Sequence, residues 1–122
     1  MGFQSYRDLM VWQKSMQLVT FTYEMTGGFP KIEQYGLTSQ MRRAAVSVPS
    51  NIAEGFGRQL QGGFIRFLII ARGSLFELQT QVEIALNLQF LTQIVFQKMV
   101  TFTQEVKRML NRFIITVRSS QS

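Results

Sequence analysis

Seven apolar residues, Phe64, Leu68, Ala71, Leu75, Leu78, Val82 and Ala85, follow one another in alternating steps of four and three. Such a period places them all on one side of an α-helix, in the narrow stripe that packs helices side by side. A stripe this long must be buried against other elements, so the rest of the chain has to supply them.

Three further helical patterns do so. Leu9, Trp12, Met16, Val19 and Tyr23 form a first stripe, ended by Gly27-Gly28 and Phe29-Pro30, where glycine is expected to take a left-handed cap and proline cannot continue the helix. Leu37, Met41, Ala44, Val48, Ile52 and Phe56 form a second, closed by the glycines at 55 and 57 as a C-cap. Val95, Met99, Phe102, Val106, Met109 and Phe113 form the fourth. Helices are therefore predicted over about residues 5–26, 36–57, 62–90 and 92–118 of one domain spanning 1–122. Short connections between such stripes favour an all-α, antiparallel up-down four-helix bundle with crossing angles of about 20°. Val11, Leu18 and Met25 on the first helix, and Ile65, Ile69 and Phe76 on the third, lie off these stripes and are read as a subunit interface, in preference to a wide core-facing stripe.

A chain of 122 residues can hold one core without staples. Cysteine and histidine are both absent, which removes thiolate nucleophiles, imidazole bases and the usual zinc ligands. Glu54, Glu77 and Glu83 are too widely spaced for a hard-cation site, so no metal and no cofactor is expected. The net charge of +6 points to polyanions or an acidic surface as partners. It is concentrated in residues 90–122, where Lys98, Lys107, Arg108, Arg112 and Arg118 face Glu105 alone. MGFQSYRDL has no apolar signal region, and the uncharged run from Ile84 to Gln97 is broken by Asn, Gln and Thr. A cytoplasmic protein without a membrane partner is the expectation.

Four pieces of the chain, in this order and spacing, carry a resemblance: LMVWQKSM (9–16), FP..E.Y.L (29–37), QMRRAAVSVPSNIAEGFGR (40–58) and FLIIARGSLFEL (67–78). From Leu9 to Leu91 the chain resembles the four-helix-bundle proteins encoded by intervening sequences of bacterial 23S rRNA genes. Gln59 to Gly63 depart from the charged residues often found there, and residues 92–122 match in helical character only. The resemblance implies a homopentameric ring, in which five copies of this chain would carry roughly +30. It also extends in architecture to the accessory variability determinants of diversity-generating retroelements, basic pentamers that work with a reverse transcriptase and its template RNA. A reverse transcriptase partner is what that second likeness implies.

SVPSNIAEGFGR (47–58) places a proline inside a helix, at a cost of about 3 kcal/mol from a lost hydrogen bond and a clash with the Ala45 carbonyl. Ser47 and Ser50 are expected to bond the freed carbonyls in a kinked but continuous helix. Arg43, Asn51 and Glu54 on this helix, with Ser74 and Glu77 on the next, are read as a structural polar network, with Ala53, Gly55 and Gly73 letting the backbones approach. The competing reading is a ligand or catalytic pocket. No catalytic residue is assigned, and the protein is not expected to be an enzyme. RNA-binding residues are expected at Arg42, Arg58, Lys98, Lys107, Arg108, Arg112 and Arg118, because a merely solvated face mixes its signs. The functional expectation is a basic oligomer that associates with structured RNA in a ribosomal context through phosphate contacts. The alternatives are a retroelement accessory protein and a protein-interaction scaffold without nucleic acid.

Overall fold

The computed structural model describes residues 3–120 and the backbone of Gln121. Its four helices are α1 (Met10–Thr26), α2 (Leu37–Gly57), α3 (Phe64–Asn87) and α4 (Gln93–Gln121), and the described residues contain no strand. Helix α1 packs on α2 and α4, and α3 packs on the same two, so α1 and α3 sit on one diagonal and α2 and α4 on the other. Every adjacent pair runs antiparallel. Ser47 meets Ser74 while Gly55, further along α2, lies against Phe64 at the start of α3. Gln79 reaches Thr103 and Arg72 reaches Asn111 between α3 and α4. The chain thus runs up, down, up and down around one core.

The stripes of α2 and α3 are buried as their spacing predicts. Leu37, Met41, Ala44, Val48, Ile52 and Phe56 meet Phe64, Leu68, Ala71, Leu75, Leu78, Val82 and Ala85. Edge-on contacts of Phe64 with Phe56 and Phe113 tie three helices together at one end of the bundle. Phe29 and Phe90 close the other end, their ring centroids 5.5 Å apart.

The other two helices are rotated from their predicted seams. Helix α1 buries Val11, Ser15, Leu18, Thr22 and Thr26, while Met16 and Tyr23 of the predicted stripe are exposed. Val11 and Leu18, read from spacing as interface, are core. Helix α4 buries Met99, Thr103, Val106, Leu110, Ile114 and Val117, leaving Phe102, Met109 and Phe113 half-buried along its edge. The cause is the same in both. Ser15, Thr22 and Thr26 donate their hydroxyls to the carbonyls of Trp12, Leu18 and Thr22, each at 2.8 Å, and Thr103 donates to Val100. A hydroxyl satisfied within its own helix can be buried at little cost, so polar residues hold positions that the apolar pattern assigns elsewhere.

Helix ends also differ from expectation. Before α1, Ser5 and Asp8 build a capping box around a 3-10 turn at Tyr6–Asp8, so the helix proper starts at Met10. Gly27 stays right-handed at φ −60°, and no left-handed cap forms there. Helix α3 stops at Asn87, because Gln89 turns left-handed at φ 63° and the Gln89 and Phe90 amides donate back to the Leu86 and Ala85 carbonyls. Gly62 and Gly63, at φ 78° and 94°, provide the turn from α2 into α3.

Pro49 is buried inside an unbroken α2. Ser50 donates to the Val46 carbonyl at 2.7 Å, beside the Ala45 carbonyl that the proline leaves without its amide donor. Ser47 does not bond a freed carbonyl; its hydroxyl is shared across the seam with Ser74, 2.8 Å away. Gly55 is a packing residue as well as part of the helix end, since a Cβ there would lie 3.0 Å from Phe64 Cδ1 and 3.0 Å from Phe67 Cβ. Gly73 has open space around it and Ala53 is half-buried, so close approach of α2 and α3 rests on Gly55 alone of the three.

Candidate nucleic-acid interface

Helix α4 carries five cations and one carboxylate, Glu105. That carboxylate is already engaged, bonded to Lys14 of α1 at 3.4 Å. With about 100° between successive residues, Arg108 and Arg112 fall opposite the buried line of Met99, Val106 and Leu110 and face solvent directly. Lys98 and Arg118 are exposed towards the two flanks and the two ends. Lys98 borders a groove of about 650 Å³ lined by Phe21, Ile94 and Phe102. Lys107 is half-buried, with its ammonium 5.2 Å from the centre of the Phe76 ring on α3. The outer surface of α4 is therefore strongly positive, with Glu105 engaged by Lys14 and Asp8 sharing a groove with Arg112 at one end of the bundle. Only two ion pairs form among the described residues, Lys14–Glu105 and Arg58–Glu54, and neither neutralises an α4 cation.

Arg42 on α2 and Arg58 just past its end stand apart from this surface, at the helix diagonal to α4. Arg42 is half-buried and already committed to the fold. Its Nε donates to Thr26 Oγ1 at 2.9 Å, its Nη2 donates to the Tyr23 carbonyl at 3.3 Å, and its guanidinium lies 4.5 Å from the Tyr23 ring centre. It closes the C-terminal end of α1, where a cation also meets the negative end of the helix dipole. Arg58 is exposed, pairs with Glu54 at 3.3 Å, and shares the Phe67 ring with Arg66, the two guanidinium carbons lying 5.2 and 5.9 Å from its centre. Arg66 was assigned to no RNA contact from sequence, and its proximity to Arg58 depends on the turn at Gly62-Gly63.

The five residues read as one polar network fall into three groups. Asn51 Nδ2 donates to the Ser47 carbonyl at 2.8 Å and to Ser47 Oγ at 2.9 Å, and Ser47 links to Ser74. Glu54 belongs to Arg58. Arg43 and Glu77 make no ion pair; with Gln40, Thr80 and Gln81 they line a cleft of about 490 Å³ between α2 and α3. No group of three or more acidic ligands converges among the described residues, so Glu54, Glu77 and Glu83 do not assemble a metal site. Nor is any described helix long and apolar enough to cross a membrane.

These features define a class: an all-α up-down bundle whose last helix presents unpaired cations. The chain belongs to the 23S rRNA-intervening sequence protein family, which it matches over residues 7–112. The match runs past Leu91 to residue 112 and so takes in the first two-thirds of α4, further than the sequence pieces from Leu9 to Leu91 reach. The fold is similar to that of a crystal structure from Bacteroides thetaiotaomicron VPI-5482, a protein of unknown function from the S23 ribosomal protein family. The TM-score is 0.76 at 20% identity, covering 86% of this chain and 98% of that one. No curated protein matches the chain.

Proposed function

We propose that the protein is a non-enzymatic, oligomeric RNA-associated protein that holds structured RNA by its phosphates, in the ribosomal RNA context its family name carries. The observation behind this reading is the outer surface of α4, where Lys98, Arg108, Arg112 and Arg118 are exposed and the helix's one carboxylate is held by Lys14. Cations without nearby acids bind phosphate oxygens by releasing condensed counterions, with little demand on base sequence.

Assembly into a ring is part of the same proposal. Met16, Tyr23 and Val46 are exposed along the α1–α2 side, and Ile69 and Phe76 along the α3–α4 side. Around the packing order of the bundle these sides are opposite. Two apolar faces on opposite sides favour head-to-tail contacts, which close into a ring when the rotation allows. The homopentamer implied by the sequence resemblance is such a ring.

Fluorescence anisotropy with a structured 23S rRNA fragment, titrated at several salt concentrations, tests the phosphate reading. The wild type is expected to lose affinity steeply as salt rises, and Arg108→Ala/Arg112→Ala to reduce the log–log slope by about 2. Binding that ignores salt would overturn it.

A further inference from the structure

The cleft between α2 and α3 has the makings of a recognition site. Its lining residues Gln40, Arg43, Glu77, Thr80 and Gln81 are all polar or charged, and they present their aliphatic stems as well as their polar ends. Gln81 is only 6% exposed, and its Oε1 is shut away from solvent with no hydrogen-bond donor. A buried amide oxygen left in this state costs free energy that packing does not return. Rotation about χ3 turns that oxygen towards the open cleft, where water or the donor of a bound ligand can reach it. Arg43 and Glu77, exposed and unpaired, stand at the same cleft with a cation's donors and a carboxylate's acceptors unused. Thr80 spends its hydroxyl proton on the Phe76 carbonyl at 3.0 Å, which leaves its oxygen as a further acceptor.

The chemistry of this lining selects its ligand. A cation would meet Arg43 and an anion would meet Glu77, so a neutral group is preferred. It must offer adjacent N–H donors to the carboxylate and acceptors to the guanidinium. We propose that the cleft binds a guanine base, whose N1–H and N2–H₂ donate to Glu77 and whose O6 and N7 accept from Arg43, with the Gln81 amide as a further partner. Adenine has one amino group and lacks the paired donors, and uracil lacks the amino group altogether. In single-stranded RNA such a base is splayed out of its stack and read on its edges.

The guanine site rests on the RNA reading for its biological source, but it can be tested without RNA. Guanosine and adenosine are uncharged nucleosides, and each would be titrated into the full-length ¹⁵N-labelled protein while the side-chain amides of Gln40 and Gln81 are followed by NMR. Guanosine is expected to shift both amides saturably, adenosine not to, and Glu77→Gln to abolish the response with unchanged thermal stability. A companion titration compares a uridine decamer with the same strand carrying one central guanosine. The guanosine is expected to tighten binding by about tenfold in the wild type and not in Glu77→Gln. Equal shifts with both nucleosides, or none with guanosine, would overturn the site. A guanosine response with no salt-sensitive binding of either strand would uphold the site and overturn the RNA reading.

Discussion

The α2–α3 seam and the outer surface of α4 are both rich in polar residues, but they use them differently. At the seam, Ser47, Asn51 and Ser74 satisfy one another, Gly55 brings the backbones close, and Arg42 on the far side of α2 closes the neighbouring helix. On α4, Arg108 and Arg112 touch no acid and stand opposite the core. Residues whose bonding capacity is used within the fold explain stability. Those whose capacity is unspent are the ones available to a partner. The difference separates a structural signature in α2 from a binding surface in α4, although both were read from sequence as basic or polar faces.

If that division is right, changes at the seam act on stability and changes on α4 act on binding. The largest effect belongs to Leu68→Ala, which empties a fully buried position on α3 in the bundle core. It should cost about 2–5 kcal/mol in denaturant unfolding. Gly55→Ala comes next, at about 1–3 kcal/mol, because the added methyl presses on Phe64 and Phe67, including the Phe64 carbonyl at 3.1 Å. Arg108→Ala/Arg112→Ala should move unfolding by less than about 0.5 kcal/mol per site while weakening RNA binding relative to wild type, most at low salt, the reverse of the seam variants. Gly73→Ala is the smallest and has the opposite sign. With nothing within 4 Å of the new methyl, it should stabilise α3 by about 0.5–1 kcal/mol. A destabilising Gly73→Ala would show that the two glycines are not distinguished by packing as described.

The α2 and α3 stripes were legible because every position of each repeat is apolar. In α1 and α4 the repeat passes through Ser15, Thr22, Thr26 and Thr103, whose hydroxyls are bonded within their own helices. Placing Ser and Thr outside therefore rotates each helix, turning Met16 and Tyr23 inwards and Leu18 outwards, while Trp12 does pack against the core. Gly55 and Gly73 look alike in sequence, and only the positions of Phe64 and Phe67 separate them. Arg42 and Arg108 are likewise the same residue type on amphipathic helices. What distinguishes them is the end of α1, which lies beside Arg42 only once the bundle has formed. The Arg43–Glu77 cleft was visible as a polar line on two helices, while Gln81 as its buried, unpartnered member needed the packed seam to be seen.

If α4 presents its unpaired cations to RNA, the contact should be visible in the cell. Ultraviolet crosslinking of the tagged protein in its native cells, with sequencing of the attached RNA and mass spectrometry of the attached peptides, tests it most directly. Enrichment of ribosomal RNA over an untagged control is expected, with crosslinked peptides drawn from the stretch around Arg108 and Arg112. Absence of any enriched RNA, or crosslinks confined to surfaces away from α4, would contradict it.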